Sequence, residues 1–302
     1  MTALSWSPTG DTLAVGAHGG IVQLWDVGGS PRRQRSLVGL EPLPGQIEAV
    51  QSLAFSPDGQ TLAASDKSEG SAVGHNILSP IGAMATWDVA TGSMLNTPAE
   101  LGAGAGITAS DVLAFSPNGG MLAASLLTGG VRVFDASSGR ILRTLTDPGN
   151  DTVSLAFAPA GDLLAAGTLA GTVELWNPAT GKRLAQPLLA DSSSAIADIA
   201  FDRSGQRFAT TGLQDSTVKI WFTGSLEQEG PRLAAGPDAT AATAFEPGGQ
   251  GLLAVDDHGG AFTWPMSLTS WEQRACSLAG RNLTRAEWAQ FVAGPRYATV
   301  CR

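Results

Sequence analysis

Short apolar runs in this chain alternate large with small side chains, as in Ser52-Leu-Ala-Phe-Ser56, and each run soon meets glycine or proline. A period of two marks strands with two distinct faces. The stops are turn chemistry: proline presets φ and glycine supplies a positive φ. One stop recurs as an aromatic residue followed by a Ser-Pro-Asp-Gly-like turn. It reads Trp6-Ser-Pro-Thr-Gly10, Phe55-Ser-Pro-Asp-Gly59, Phe115-Ser-Pro-Asn-Gly119, Phe157-Ala-Pro-Ala-Gly161, Phe201-Asp-Arg-Ser-Gly205 and Phe245-Glu-Pro-Gly-Gly249. A second aromatic follows each, namely Trp25, Trp87, Phe134, Trp176, Trp221 and Trp264, and from Phe115 onward the units repeat every 42 to 44 residues.

Each unit predicts four short strands. The first ends on the aromatic. The second is small and apolar (Leu62-Ala-Ala-Ser65; Leu164-Ala-Ala-Gly167). The third follows a glycine turn (His18-Gly-Gly; Ala170-Gly) and ends on the second aromatic, as in Val173-Glu-Leu-Trp176. A weaker outer strand such as Arg140-Ile-Leu-Arg-Thr-Leu145 completes the unit. One such sheet cannot bury both of its faces alone, so the units are expected to stack around an axis.

The residues Leu24-Trp25-Asp26, Thr86-Trp87-Asp88, Val133-Phe134-Asp135 and Leu175-Trp176-Asn177, with the Phe-Ser-Pro-Asp-Gly turns, resemble the tryptophan–aspartate (WD) repeat β-propellers over residues 1–265. The resemblance implies an all-β fold: a β-propeller of six four-stranded blades. The Gly-His pair usual before the family's first strand is absent from every unit, so its histidine network cannot form. Unit six has three strands and then turns to Pro265 and helix, which predicts a last blade without its outer strand and an unpaired edge at Gly260 to Trp264. Met1 falls in register with Val50 and Ile196, inside the repeat. That register suggests the C-terminal part of a longer protein, with an effector domain upstream and a seven-bladed ring short of one blade. A six-bladed ring whose short last blade is capped by the tail is the alternative.

Residues 266–302 are expected to form a helical tail packed on the propeller. Ser270-Trp-Glu-Gln273 and Thr284-Arg-Ala-Glu287 have the spacing of capping boxes, and Gly280 and Gly294-Pro295 supply the stops. The text Arg274 to Trp288 resembles the C-terminal end of bacterial WD-repeat proteins, often the sensor arm of STAND-type signalling ATPases and related multi-domain regulators. A phosphate loop is not among the motifs: Gly181-Lys182-Arg183 lacks the upstream glycine and the Ser/Thr. Cys276 and Cys301 bracket the tail; in a reducing cytoplasm they are expected as buried free thiols, with a disulfide as the alternative.

Composition narrows function. A net charge of −9 opposes a nucleic-acid surface, and the basic stretch Arg32-Arg33-Gln34-Arg35 reads as a solvated edge guard. Fifteen arginines against three lysines suggest a GC-rich bacterial genome. No signal segment or 18-residue apolar run appears, so the chain is expected to be cytoplasmic and free of membrane. His18, His75 and His258 are scattered, and His18-Gly-Gly and His258-Gly-Gly are read as turns, so no metal and no cofactor is expected. Gly102-Ala-Gly-Ala-Gly106 is read as a connection between blades. Inner strands are poor in acids and bases, Asp198 and Asp202 excepted, which favours a non-catalytic scaffold over a propeller enzyme.

One feature exceeds the repeat. Unit two spends 25 residues between Leu62 and Trp87, where unit one spends 12 between Leu13 and Trp25. The insertion falls on the top face, which makes Asp66, Lys67, Glu69, His75 and Asn76 the candidate residues for a protein partner or small ligand. A tolerated surface insertion is the competing reading, because loop closure becomes costlier only slowly with length.

Overall fold

The computed structural model describes residues 2–37, 47–69, 84–96, 112–126, 129–145, 150–192, 194–214, 216–235, 240–267, 270, 273, 276–277, 279–282, 284–291, 299 and 301. For 47–48, 67–69, 240–241 and 289–291 it describes the backbone alone. Six antiparallel sheets follow one another along the chain, each a meander. Blade 1 is β1 (Ala3–Trp6), β2 (Thr12–Gly16), β3 (Val22–Asp26) and β4 (Arg32–Leu37). Blade 2 is β5 (Ile47–Phe55), β6 (Thr61–Glu69), β7 (Met84–Asp88) and β8 (Met94–Asn96). Blade 3 is β9 (Leu113–Phe115), β10 (Met121–Ser125), β11 (Val131–Asp135) and β12 (Ile141–Leu145). Blade 4 has β13 (Thr152–Phe157), β14 (Leu164–Thr168), β15 (Thr172–Asn177) and an outer strand in two pieces, β16 (Lys182–Arg183) and β17 (Leu188–Leu189), both paired with β15. Blade 5 is β18 (Ile196–Phe201), β19 (Arg207–Gly212), β20 (Thr217–Phe222) and β21 (Leu233–Ala234). Blade 6 stops at three among the described residues: β22 (Thr240–Phe245), β23 (Gly251–Asp256) and β24 (Ala261–Pro265). Among the described residues the last blade is thus as short as expected.

The repeated text is the text of the turns. Ser56 receives the Thr61 amide on its hydroxyl at 2.9 Å, and Gly59 sits at φ +71°. Ser7 and Ser116 do the same for Thr12 (3.0 Å) and Met121 (2.9 Å), and Asp202 substitutes its carboxylate for Arg207 at 3.2 Å. The residue after the second aromatic closes the outer hairpin: Asp88 accepts the Thr91 amide at 2.7 Å, Asp135 that of Ser138 at 2.9 Å, and Asn177 that of Thr180 at 2.8 Å. An acceptor on a short side chain is the requirement, and Asp and Asn both meet it.

Cross-strand register gives every blade two unlike faces. On one, Phe55, Leu62 and Trp87 align; on the other, Ala54, Ala63 and Thr86. The aromatic face always meets the small face of the preceding blade. Leu62 and Trp87 pack with Ala14, Val22 and Leu24 of blade 1, and Leu164 and Trp176 pack with Ala123 and Val133 of blade 3. Phe208 and Trp221 likewise meet Ala165 and Val173 of blade 4, and Leu252 meets Ala209 and Ile220 of blade 5. Inner strands pack in chain order: β1 on β5, β5 on β9, β9 on β13, β13 on β18 and β18 on β22. Side chains three residues before the inner aromatic bridge some of these seams. Ser52 accepts the Leu113 amide at 3.1 Å, Ser154 donates to the Ile196 carbonyl at 2.8 Å, and Asp198 accepts the Thr243 amide at 2.7 Å.

Among the described residues, two faces have no such neighbour. On the aromatic face of blade 1, Leu4 is 49% and Trp6 58% exposed, with Trp25 half-buried. On the small face of blade 6, Ala242, Ala244 and Thr263 are exposed and Leu253 is 37% exposed, where the equivalent Ala63, Ala123, Ala165 and Ala209 are fully buried.

In the tail, helix α1 (Arg285–Phe291) starts as expected. Thr284 and Glu287 cap each other reciprocally, the Thr284 amide donating to Glu287 Oε2 at 2.8 Å and the Glu287 amide to Thr284 Oγ1 at 3.2 Å. Arg281 pairs with the same carboxylate at 2.6 Å, and together these hold Glu287 down at about 2. At the first expected box, the Ser270 amide donates to Ser267 at 3.2 Å; Trp271 lies outside the described residues. Gly280 closes that turn onto the Cys276 carbonyl at 2.9 Å. The cysteines correct the expectation of free thiols: Cys276 and Cys301 form a disulfide. Asn282 holds Cys301 in place beside this turn. Its side chain binds both backbone groups of Cys301, at 2.7 Å each.

Candidate interaction surface

In an antiparallel meander, the turns from second to third strand and the connections between blades emerge at the same end of the sheets. That end of blade 2 carries the predicted site. Strands β5 and β6 run nine residues each, and their pairing continues through Val50–Asp66, Ala49–Lys67, Glu48–Ser68 and Ile47–Glu69. Asp66, Lys67 and Glu69 are thus strand residues, and the Asp66 side chain is 2% exposed. His75 and Asn76, like Gly102 to Gly106, lie outside the described residues. The long hairpin leans on blade 1: Val50 donates to the Ala17 carbonyl at 3.2 Å, and Ala49 bridges His18.

At the same end of blades 4 and 5 lies a hollow of about 430 Å³, lined by Leu169, Ala170, Ser192, Ser194, Ala195, Leu213 and Gln214. Its walls are held by backbone chemistry. The Leu213 amide donates to the Ala195 carbonyl at 2.8 Å, and the Gln214 amide to Ser194 Oγ at 2.7 Å. Gly171, at φ +77°, passes so close under the carbonyl of Asp191 that any Cβ would strike it. Nearby, Lys219 Nζ reaches Asp191 Oδ2 at 2.8 Å and the Ala190 carbonyl at 3.1 Å, a buried pair with partners on both sides. Among the described residues, no lining side chain is ionisable. Leu169 and Leu213, which flank the opening, are 52% and 55% exposed.

Those two leucines occupy one repeat position, twelve residues after the inner aromatic. The same position is His18, Lys67, Leu127 and Asp257 in the other units. Among the described side chains this position is polar and exposed on blades 1 and 6 (His18, Asp257) and apolar on blades 4 and 5. Reading the insertion alone misses this; aligning the units column by column finds it, because fold-determining columns stay constant while this one varies.

His258, His18 and Asp198 sit in turns and in a seam. His258 sits in a turn beside Asp257 at 2.8 Å, its amide held by Asp256 at 3.1 Å, and exposed His18 lies in the turn closed by the Ala17 amide on the Ile21 carbonyl at 3.0 Å. Asp198 belongs to the blade 5–6 seam; burial pushes its carboxyl up, against the amides of Thr243 and Ile199 (2.9 Å) that hold it down. Among the described residues no group of three His, Cys, Asp or Glu could hold a metal ion, and no helix is long and apolar enough to cross a membrane.

Comparison with known proteins agrees with this geometry. The WD domain, G-beta repeat, matches residues 1–26, 40–69, 139–177 and 185–221. Blade 6 and the first three strands of blade 3 fall outside the matches, yet fold on the same plan. A search of curated proteins returns no match. Repeats of this kind generally build protein-interaction scaffolds, and the four matches together with the six sheets support a WD-repeat β-propeller.

Proposed function

We propose that the chain is a non-catalytic interaction module, the sensing part of a bacterial signalling protein, and that its partner protein docks on the end of the blades that bears the insertion. The observation that carries this reading is the pair Leu169 and Leu213, half-exposed at one repeat position beside a hollow whose described lining residues are not ionisable. A large aromatic or aliphatic side chain of a partner suits such a hollow, with polar contacts around the rim. Lys67 and Glu69 at the base of the insertion, with His75 and Asn76 within it, would supply the polar rim on blade 2, and Asp66 would hold its base in place. The net charge of −9 disfavours a nucleic acid in this role.

The test is affinity capture from the source cells with three forms of the chain: wild type, residues 70–83 deleted, and Leu169→Glu with Leu213→Glu. The reading expects a partner recovered by wild type and lost at least tenfold by the double substitution. A smaller loss is expected from the deletion. Equal recovery by all three would discard this end as the docking surface.

A further inference from the structure

Neither end face of the blade series looks like a solvent face. On its three inner strands the aromatic face of blade 1 presents Leu4, Trp6, Leu13, Val15, Gln23 and Trp25, and no ionisable side chain. The outward face of blade 6 presents alanines, Leu253, Val255 and Thr263, again with none. Solvated sheet faces alternate toward charged and polar groups, whereas apolar faces of this kind mark buried contacts. The molecule itself shows what buries them. In all five internal seams a small Ala-rich face receives the aromatic face of the next blade, at constant register. Trp87, Phe134, Trp176 and Trp221 are at most 7% exposed where this rule is met. Blade 1 has the aromatic half of a sixth seam uncovered, and blade 6 has the small half uncovered.

We propose that the two faces together form the docking site for one further blade of this same repeat, carried by polypeptide outside residues 1–302. Its small face would lie on Leu4, Trp6 and Trp25, and its aromatic face on Ala244, Leu253 and Thr263. The occupant must be a sheet with two unlike faces, because the two halves of the site demand opposite surfaces. A second copy of this chain satisfies each half separately, through a head-to-tail contact that leaves one aromatic and one small face open unless the copies close into a ring. A single inserted blade satisfies both at once. This site deepens the reading of the chain as one part of a larger assembly. It does not depend on the partner at the insertion-bearing end, so the two can fail separately.

The test supplies the blade. A copy of residues 151–195 is placed directly before Met1 of the full chain, so that Ala195 leads into blade 1 as it naturally leads into Ile196 of blade 5. A second fusion uses residues 108–151, the blade that naturally leads into Thr152. The proposal expects either fusion to remain monomeric and to melt at least about 5 °C above the unfused chain. Trp6 emission should shift to the blue, with Trp6→Phe identifying that signal. Trp6→Glu or Leu253→Glu should erase the gain in the fusion and move the unfused chain by no more than about 1 °C. Soluble fusions with unchanged melting and emission would overturn it. So would failure of both fusions to fold while the unfused chain folds. Concentration-dependent association of the unfused chain in sedimentation, abolished by Trp6→Glu, would assign the faces to a second copy instead.

Discussion

Blades 4 and 1 are written in nearly the same code and end in different environments. In blade 4, Leu164 and Trp176 face blade 3 and are 0% and 7% exposed; in blade 1, the corresponding face carries Trp6 at 58% and Leu4 at 49%. The repeat dictates which way each side chain points, because strand period and turn chemistry fix the register. Whether that side chain is buried depends on a neighbour that the unit does not encode. Hydrophobicity at a repeat position is thus a statement about an interface, and exposure reports whether the interface is filled.

The sharpest way to break the comparison is to remove an aromatic from each kind of face. Phe208 is fully buried between blades 4 and 5, stacked with Trp221 at 6.4 Å and tilted against Phe201 at 5.6 Å. Phe208→Ala should cost about 3–5 kcal/mol through lost transfer and a cavity. Trp6→Ala should cost less than about 1 kcal/mol, as at other exposed positions. Urea unfolding midpoints at unchanged m-value measure both. A large loss at Trp6 would mean that the face is covered in solution.

The tail offers a second contrast, since its fold rests on a covalent tie and a few capping bonds. Cys276 and Cys301 enclose a loop with a sequence separation of 25, for which chain entropy predicts about 3.5 kcal/mol of stabilisation. Cys301→Ser should release that amount within the tail, seen as faster amide exchange over α1. The melting of blades 1 to 6 should stay where it was, because their seams are built without the tail cysteines.

The seam between blades 5 and 6 carries the third test. Asp198→Ala leaves the Thr243 amide without its acceptor and should cost about 1–2 kcal/mol. Asp198→Asn keeps an acceptor and removes the charge. Because burial raises the carboxyl in the folded state, the proton is bound more tightly there than in the unfolded chain. The wild-type seam is therefore favoured while Asp198 is protonated and loses stability as pH rises from the ordinary carboxylate range through the raised folded value. Subtracting the Asp198→Asn curve from the wild-type stability profile should isolate that fall. A difference that does not vary with pH would place the carboxylate in water.

How much of this was legible beforehand follows from which forces are local. The turns were readable because Ser56, Asp88 and Asp135 act within five residues of themselves. The last blade's three described strands were readable because Pro265 interrupts the pattern. The reciprocal cap of Thr284 and Glu287 needs only its four-residue spacing. The disulfide was misjudged because Cys301 is held in place by Asn282, and compartment statistics say nothing about that contact. The hollow was missed because Leu169, Ser194 and Leu213 come from two blades and a connection. The insertion looked like the natural site, yet its base, Asp66 to Glu69, is an extension of strand pairing that the strand pattern ending at Ser65 did not announce.

The smallest effect separates what the repeat needs from what merely decorates it. Asp135 closes the outer hairpin of blade 3, taking hydroxyl bonds from Ser137 and Ser138 at 2.7 Å each and the Ser138 amide at 2.9 Å. These hold its carboxyl at about 2. Asn177 makes the matching turn in blade 4 with the Thr180 hydroxyl at 2.9 Å and no charge at all. If the turn needs an acceptor and not a charge, Asp135→Asn should leave the melting point at pH 7 almost unmoved. It should also abolish the small loss of wild-type stability expected as pH falls from about 4 toward 2, the window between the ordinary and the lowered carboxyl. Removing Ser137 and Ser138 hydroxyls together should return the Asp135 titration toward the ordinary carboxylate range, as followed by carboxyl-carbon NMR. A titration that stays near 2 without them would assign the shift to the backbone amide alone, and blades 3 and 4 would then close their outer hairpins by one shared bond.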